Sequence, residues 1–236
     1  HIMEREKKRG KLYGVGVGPG DPELLTLKAL RVIKQCDVIA VPGKEPKETV
    51  AYGIAEKAFP EIGEKQLLGI YMPMTKNLEL LKKSHEEGVI KLRKELDCGK
   101  TIAFLTLGDP TVYSTYMYLH KEIEKEGYEG EIVSGIPSFC AAAAKLDMSL
   151  AEKAEQIHII PASYQIEESL KLSGTKIFMK AGKKIGQVKE HLKDCKDDIY
   201  MIENCGMEKE RIFYGADAIP DDAGYYTLMI TKETEE

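Results

Sequence analysis

The chain lacks the features that mark several familiar classes of protein. It contains no tryptophan, and its cysteines are scattered without a C-x-x-C pair, at Cys36, Cys98, Cys140, Cys195 and Cys205. This spacing excludes a zinc ribbon and a thioredoxin-like redox motif, while the odd count predicts reduced thiols in the cytoplasm. The histidines form no H-E-x-x-H motif either, so we expect no metal bound by the protein itself.

Long apolar runs and a strong excess of one charge are also absent. No stretch approaches the roughly 20 apolar residues that are needed to span a bilayer, so we expect no membrane association. The formal net charge of −5 disfavours a nucleic-acid partner. The N-terminal stretch HIMEREKKRGK is charged and is not followed by an apolar segment, so the sequence predicts no secretory signal peptide.

Apolar strands alternate with amphipathic helices along the first half of the chain. Residues 11–17 and 37–41 predict buried strands. Residues 101–107, TIAFLTL, form a continuous apolar run of the kind that is buried on both faces of a sheet. Residues 46–66 and 78–96 have helical patterns. This alternation predicts an α/β fold with a mostly parallel sheet.

The second half of the chain repeats the alternation less regularly. Its strand candidates are residues 131–134, 157–161, 176–179, 198–203 and 225–230. An alanine-rich helix is predicted over residues 139–146. The turn-rich stretch GYEG at residues 127–130 predicts a boundary between a domain of residues 10–127 and a second domain of residues 128–236.

A Gly-Asp-Pro sequence follows both of the strongest strands, as Gly20-Asp21-Pro22 and as Gly108-Asp109-Pro110. Ligands bind outside the carboxyl ends of parallel strands, so we expect the two loops to share one site. Asp21 is placed to cap the following helix, and Pro22 suits its first position. The alternative is that Asp21 and Asp109 are only caps and turn formers.

The glycines of LYGVGVGPGDP, residues 12–22, suggest a phosphate loop, but their spacing is wrong. Counting the G-x-G-x-x-G pattern from Gly14 places Pro19 at the sixth position, and counting from Gly16 places Asp21 there. No Gly-Lys-Ser/Thr follows, so the P-loop pattern also fails. Asp21 would occupy the helix N–H groups that bind phosphate, and it adds negative charge. The loop therefore predicts a neutral or cationic ligand.

Four motifs occur in order along nearly the whole chain, and together they resemble those of the tetrapyrrole methylase family. The first is GVGVGPGDPELLTLKAL, and the second is LGDPTVYS, which begins at Leu107. The third is GIPSFCAAAA, which begins at Gly135, and the fourth is the pair Glu203-Asn204 in IENCG. One such motif alone is weak, whereas the ordered set is highly specific.

The resemblance implies a two-domain α/β fold in which each domain is an α/β sandwich, the first with a mostly parallel sheet and the second with a mixed sheet. It also implies that S-adenosylmethionine, which carries a sulfonium cation and no phosphate, binds in a cleft between the domains. The residues that match the family's cofactor contacts are Pro19, Leu107, Gly108, Asp109, Val112, Pro137, Ser138, Lys180, Cys205 and Thr227. Lys180 and Cys205 differ from the residues often found there, so backbone contacts are expected at both.

Within the family, the chain resembles the methyltransferases that act at C20 of precorrin-2 or cobalt-factor II. The resemblance implies a tetrapyrrole substrate, a step in cobalamin biosynthesis and a homodimer. Methyl transfer to an electron-rich carbon mainly requires alignment of donor and acceptor, which agrees with the absence of a G-x-S-x-G nucleophile motif. Tyr113 is the candidate for assisting removal of the C20 proton, with a wall of the pocket as its alternative role.

Three alternatives share part of this pattern. Another corrinoid or uroporphyrinogen methylase of the same family would share the first two motifs. Diphthine synthase and ribosomal RNA ribose methylases share the fold, although the net acidity of the chain argues against an RNA substrate. A protein that binds S-adenosylmethionine or a tetrapyrrole without turnover is the most remote alternative.

Overall fold

Two compact units make up the chain, His1–Pro137 and Ser138–Glu236. The computed structural model describes residues 8–161 and 166–234. The units divide after residue 137, whereas the sequence predicted a division after residue 127. The reason is that residues 129–133 form a strand that pairs with the strand at residues 11–15, within the first unit. The GYEG turn is therefore internal to the first unit.

Strands and helices alternate in the first unit. Its strands are β1 (Lys11–Gly16), β2 (Val38–Pro42), β3 (Gln66–Ile70), β4 (Ile102–Thr106) and β5 (Glu129–Val133). Its helices are α1 (Leu27–Gln35), α2 (Val50–Ala58), α3 (Leu78–Asp97) and α4 (Tyr116–Lys125). The strands form a sheet in the order β3-β2-β4-β1-β5, and each neighbouring pair is parallel. The predicted parallel α/β architecture is confirmed.

Helices cover both faces of this sheet. Val32 of α1 and Ala51 of α2 pack with Leu105 in a cluster on one face. Leu92 of α3 packs with Phe104 in a cluster on the other, where α4 also contributes. All residues of β4 are buried, which is the result expected for a strand covered on both faces.

Local capping determines where the first helical segment begins. The Asp21 carboxylate accepts a hydrogen bond of 2.9 Å from the N–H of Glu23, and Pro22 begins a short 3-10 turn. The α-helix α1 begins only at Leu27, where the Thr26 hydroxyl accepts a bond of 3.0 Å from the N–H of Ala29. The capping role predicted for Asp21 is confirmed, and Thr26 provides the second cap.

The second unit contains a mixed sheet. Its strands are β6 (Ile157–Pro161), β7 (Thr175–Met179), β8 (Asp198–Glu203), β9 (Arg211–Tyr214) and β10 (Thr227–Lys232). Its helices are α5 (Ser138–Lys145), α6 (Ile166–Ser169) and α7 (Ile185–Leu192). Over the described residues the order is β6-β7-β10-β8-β9, with β6 and β7 parallel and the other pairs antiparallel. Because β10 runs against both β7 and β8, the ends of those two strands lie at the same edge as its beginning.

Two parts of the chain differ from the pattern-based expectation. The helix expected over residues 46–66 is wrong in its extent, because α2 ends at Ala58 and β3 begins at Gln66. Proline disfavours helical backbone in the residue before it, so α2 ends ahead of Pro60. Pro60 itself begins a 3-10 turn. Strand β9 was not predicted, because its sequence, RIFY, is too short to give a clear alternation.

The described residues contain neither a membrane-spanning helix nor a disulfide. In the described ranges, no helix combines the length and the apolar character needed to cross a membrane. The cysteines are all free thiols, of which Cys98 and Cys140 are exposed and Cys36 is buried.

Candidate functional site

Three loops meet at the carboxyl edge of the first sheet. They follow β4, β1 and β5, which are neighbours in the sheet. The N–H of Gly108 donates to the carbonyl of Gly18 over 2.9 Å, and the N–H of Gly18 donates back to the carbonyl of Gly108 over 3.3 Å. The two Gly-Asp-Pro loops are therefore joined by backbone hydrogen bonds, which places them together at the sheet edge where ligands of parallel sheets bind.

Asp109 connects the second of these loops to the third. One oxygen of its carboxylate accepts hydrogen bonds from the N–H and the hydroxyl of Thr111, over 2.8 and 2.5 Å. The other oxygen accepts a bond of 2.9 Å from the N–H of Gly135. Burial raises the pKa of Asp109, but these donors outweigh that effect, so its pKa lies below the ordinary value. The side chain is an ionised clasp between loops.

Glycine is required where these backbones cross. A Cβ atom on Gly135 would lie 2.1 Å from the carbonyl oxygen of Gly108, and one on Gly16 would lie 2.5 Å from the same atom. Gly108 itself has a φ of 63°, which favours glycine. The signature glycines Gly16 and Gly108 therefore permit close approach of three chain segments to one another.

Gly14 serves a different purpose from the loop glycines. It lies within β1, and a Cβ atom there would be 2.1 Å from Cε1 of Tyr116. The Tyr116 ring lies across the strand, and its hydroxyl is 2.7 Å from Nδ1 of the buried His120. The first glycine of the GVGVG run thus makes room for a side chain of α4.

Tyr113 lies at an exposed turn of the Gly-Asp-Pro loop. Its φ is 51°, a left-handed conformation that is strained for a tyrosine, and 49% of the residue is exposed. The hydroxyls of Thr106 and Ser114 are 2.9 Å apart, so a hydrogen bond closes the base of the loop that carries Tyr113 and Val112. A strained residue held in place by its surroundings supports a functional role for this turn.

The charged residues of the three loops indicate whether they favour an anionic or a cationic ligand. Segments 17–23, 107–113 and 134–138 contain no lysine, arginine or histidine, whereas they include Asp21, Glu23 and Asp109. A phosphate would have neither a cationic side chain nor free access to the capped N–H groups. A sulfonium cation suits these loops, because they carry acidic side chains and no cationic ones.

A second group of residues lies at one edge of the second sheet. Lys180 follows β7, and Asn204 and Cys205 follow β8. Both Lys180 and Asn204 have left-handed backbones, with φ of 58° and 53°. Thr227 begins β10 opposite Glu203, and the N–H of Asn204 donates to the carbonyl of Tyr226 over 2.9 Å. Two strained residues at one sheet edge are typical of a functional site.

The predicted cofactor residues separate into two sets, one in each unit. In the first unit the structure brings together the buried Pro19 and Gly108 and the partly exposed Leu107, Asp109, Val112 and Pro137. In the second unit it brings together Lys180, Cys205 and Thr227 at one edge. Ser138 begins α5, whose Phe139 packs in the same apolar cluster as Cys205.

Sequence reasoning named Glu203 only as part of the fourth motif, and it missed the contacts by which Glu203 holds this second edge. Glu203 is buried at 6% exposure and forms a two-bond ion pair with Arg211, over 3.1 and 2.8 Å. The same carboxylate accepts a bond of 2.9 Å from the N–H of Gly224. An acidic residue that ends an apolar strand, followed by an arginine at hairpin spacing, was the available signal.

Comparisons with known proteins agree with this fold. The family described as Tetrapyrrole (Corrin/Porphyrin) Methylases matches residues 11–216. A probable cobalt-precorrin-2 C(20)-methyltransferase of Methanocaldococcus jannaschii is 38% identical over 227 residues, covering 94% of this chain and 96% of that protein. The structure of a cobalt precorrin-4 methyltransferase superposes with a TM-score of 0.74 at 21% identity, covering 98% of each chain. A uroporphyrin-III C-methyltransferase from Thermus thermophilus, complexed with S-adenyl homocysteine, gives 0.71 at 19% identity over 95% of this chain and 98% of that one.

Proposed function

Because this chain belongs to the tetrapyrrole methylase family, we propose that it methylates C20 of precorrin-2 or of its cobalt-containing counterpart, as a step in cobalamin biosynthesis. The observation that carries the proposal is the similarity to a relative named for C20 methylation along 94% of the chain. The methyl donor is S-adenosylmethionine, which supplies an activated methyl group when it is bound. The acidic, phosphate-excluding loops of the first unit support this choice of donor.

The residues proposed to hold the donor are those that match the family's cofactor contacts. In the first unit they are Pro19, Leu107, Gly108, Asp109, Val112 and Pro137. In the second unit they are Ser138, Lys180, Cys205 and Thr227. Most are placed to contribute backbone groups, because the loops are built from small residues and the Asp109 carboxylate is already bonded within the protein. Their task is alignment, which can lower the barrier of an in-line transfer by many kcal/mol.

Tyr113 is proposed to assist the loss of the C20 proton after methyl transfer. Its exposed ring stands on the loop that also carries Gly108, Asp109 and Val112. This placement supports contact with the macrocycle rather than with the core of the unit.

The test is an anaerobic incubation of the protein with S-adenosylmethionine and either cobalt-factor II or metal-free precorrin-2, followed by mass spectrometry. We expect a gain of one methyl group, and a labelled methyl carbon should be located at C20 by nuclear magnetic resonance. The preferred macrocycle identifies the natural substrate. Two outcomes would overturn the C20 assignment: a methyl group at another carbon, or no product while S-adenosylhomocysteine still binds. Either outcome would indicate another methylase of the same family.

We propose further that the protein is a cytoplasmic homodimer. The resemblance to the family supports the dimer, and free thiols at Cys98 and Cys140 suit a reducing compartment. Light scattering coupled to size-exclusion chromatography should give twice the chain mass of 26.4 kDa. A mass equal to one chain at micromolar concentration would refute the dimer, and recovery in the membrane fraction of lysed cells would refute the location.

A further inference from the structure

Glu203 is held at the centre of a small polar network in the second unit. Only 6% of the residue is exposed, yet both carboxylate oxygens are bonded. Nε of Arg211 donates over 3.1 Å and Nη2 over 2.8 Å, so the ion pair is bidentate. Arg211 lowers the pKa of Glu203 more than burial raises it, and the Gly224 N–H adds to the lowering. The carboxylate is therefore charged at neutral pH.

Gly224 donates a further hydrogen bond to this carboxylate, and it lies shortly before Thr227, where β10 begins. Its N–H donates to Glu203 over 2.9 Å, and its carbonyl accepts a bond of 2.6 Å from the hydroxyl of Thr227. A Cβ atom on Gly182 would lie 1.8 Å from that carbonyl oxygen. The position of Gly224 thus sets how segment 224–227 meets the turn that follows Lys180.

The same segment carries the aromatic rings next to the proposed donor residues. Nζ of Lys180 lies 5.8 Å from the centroid of the Tyr225 ring. The Tyr226 carbonyl accepts the N–H of the strained Asn204. A shift of Gly224 would therefore move Tyr225, Thr227 and the backbone beside Lys180 together.

We propose that Arg211 is a positioning residue for the methyl-donor site, acting through Glu203 on segment 224–227. The inference rests on the proposed function, since it assumes that Lys180, Cys205 and Thr227 contact the donor. Arg211 belongs to the edge strand β9 and is not among the residues proposed to contact the donor. Removing its guanidinium leaves Glu203 buried without its cation, and such a carboxylate must protonate or turn toward water. Protonation weakens the hydrogen bond from the N–H of Gly224, and rotation toward water breaks it.

The experiment compares R211M and R211K with the wild-type protein by isothermal titration of S-adenosylhomocysteine and by steady-state methylation. R211M should weaken S-adenosylhomocysteine binding by about tenfold or more and raise KM for the donor, while kcat stays within about threefold. R211K retains a cation without the bidentate geometry and should recover part of the affinity. The amide proton of Gly224 should move upfield in R211M as its bond to the carboxylate is weakened or broken.

K176M is the matched control for a loss of stability. Lys176 is 2% exposed and pairs with Asp197 over 2.9 Å, at the opposite end of β7 from Lys180. K176M should lower the melting temperature and leave S-adenosylhomocysteine affinity unchanged. Equal affinity in the wild type and R211M would overturn the positioning role. If R211M does not fold, wild-type affinity in R211K would overturn it. Failure of the wild type itself to bind S-adenosylhomocysteine would refute the proposed function instead.

Discussion

The Asp109 carboxylate accepts a hydrogen bond of 2.9 Å from the N–H of Gly135, which lies 26 residues further along the chain. The two residues follow β4 and β5, and β1 lies between those strands in the sheet. The bond therefore ties the loops on either side of β1 at its carboxyl end. It makes the shape of the first unit's candidate site depend on one ionised side chain.

Replacing Asp109 with asparagine tests this clasp. Asparagine can still accept from Thr111, but its amide group would face the N–H of Gly135, so one donor is left unpaired. We expect the free energy of unfolding to fall by about 1–3 kcal/mol at pH 7. Asp21→Asn is the control, because asparagine caps a helix as well as aspartate does and stability should change by less than about 0.5 kcal/mol.

The difference in free energy of unfolding between the wild type and Asp109→Asn should depend on pH with a definite sign. The pKa of Asp109 is lowered in the folded protein, so its contribution is complete above its ordinary value of 3.8 and is lost as pH falls through the folded pKa. Urea unfolding should therefore show the full difference at pH 7 and a shrinking one below about pH 4. A difference that stays constant down to pH 3 would contradict an ionised clasp.

Gly14→Ala should destabilise the first unit although Gly14 is not part of its site. The new Cβ would lie 2.1 Å from the Tyr116 ring, which is itself buried, so the ring or the strand must shift. Overpacking of this kind costs about 1–3 kcal/mol. Gly53→Ala is the control, because it lies in α2 with no atom within 4 Å of the new methyl group and should stabilise slightly. Chemical denaturation of both variants measures the contrast, and equal stabilities would refute it.

Changes at Tyr113 should separate stability from activity. Tyr113→Gly relieves the left-handed backbone and should raise the free energy of unfolding by up to about 1 kcal/mol. It also removes the ring, so kcat/KM should fall by about tenfold or more. Tyr113→Phe keeps the ring, and a fall of kcat by about tenfold would support a proton-transfer role for the hydroxyl. Wild-type kcat in Tyr113→Phe would leave Tyr113 as a wall of the pocket.

Thiol labelling should follow burial. Burial raises the pKa of Cys36 and of Cys205 to about 11, so neither is a thiolate at neutral pH. Cys98 and Cys140 are exposed and should react with a maleimide first at pH 7.5. Raising the pH toward 10 should speed the labelling of Cys205. Saturating S-adenosylhomocysteine should slow that labelling if Cys205 contacts the donor. Peptide mass mapping gives each rate, and fast labelling of Cys205 at pH 7.5 would contradict the raised pKa.

Local features of the sequence predicted most of the elements. The continuous apolar run of β4 predicted a strand that is buried on both faces, and Asp21-Pro22 predicted the start of a helical segment. Both signals depend on neighbours within a few residues, so they can be read from the sequence without knowledge of the tertiary structure. The failure at residues 46–66 was also local, because Pro60 was the available signal for the end of α2.

Only the tertiary structure decided which segments meet. β5 belongs to the first unit because it pairs with β1, and no periodicity in residues 129–133 specifies that partner. Gly14 and Gly16 look alike in GVGVG, yet one faces the ring of Tyr116 and the other the backbone of Gly108. The contact of Glu203 with Gly224 likewise joins segments that are remote in sequence. Periodicity and capping act over a few residues, whereas strand order and side-chain clasps depend on which distant surfaces bury each other.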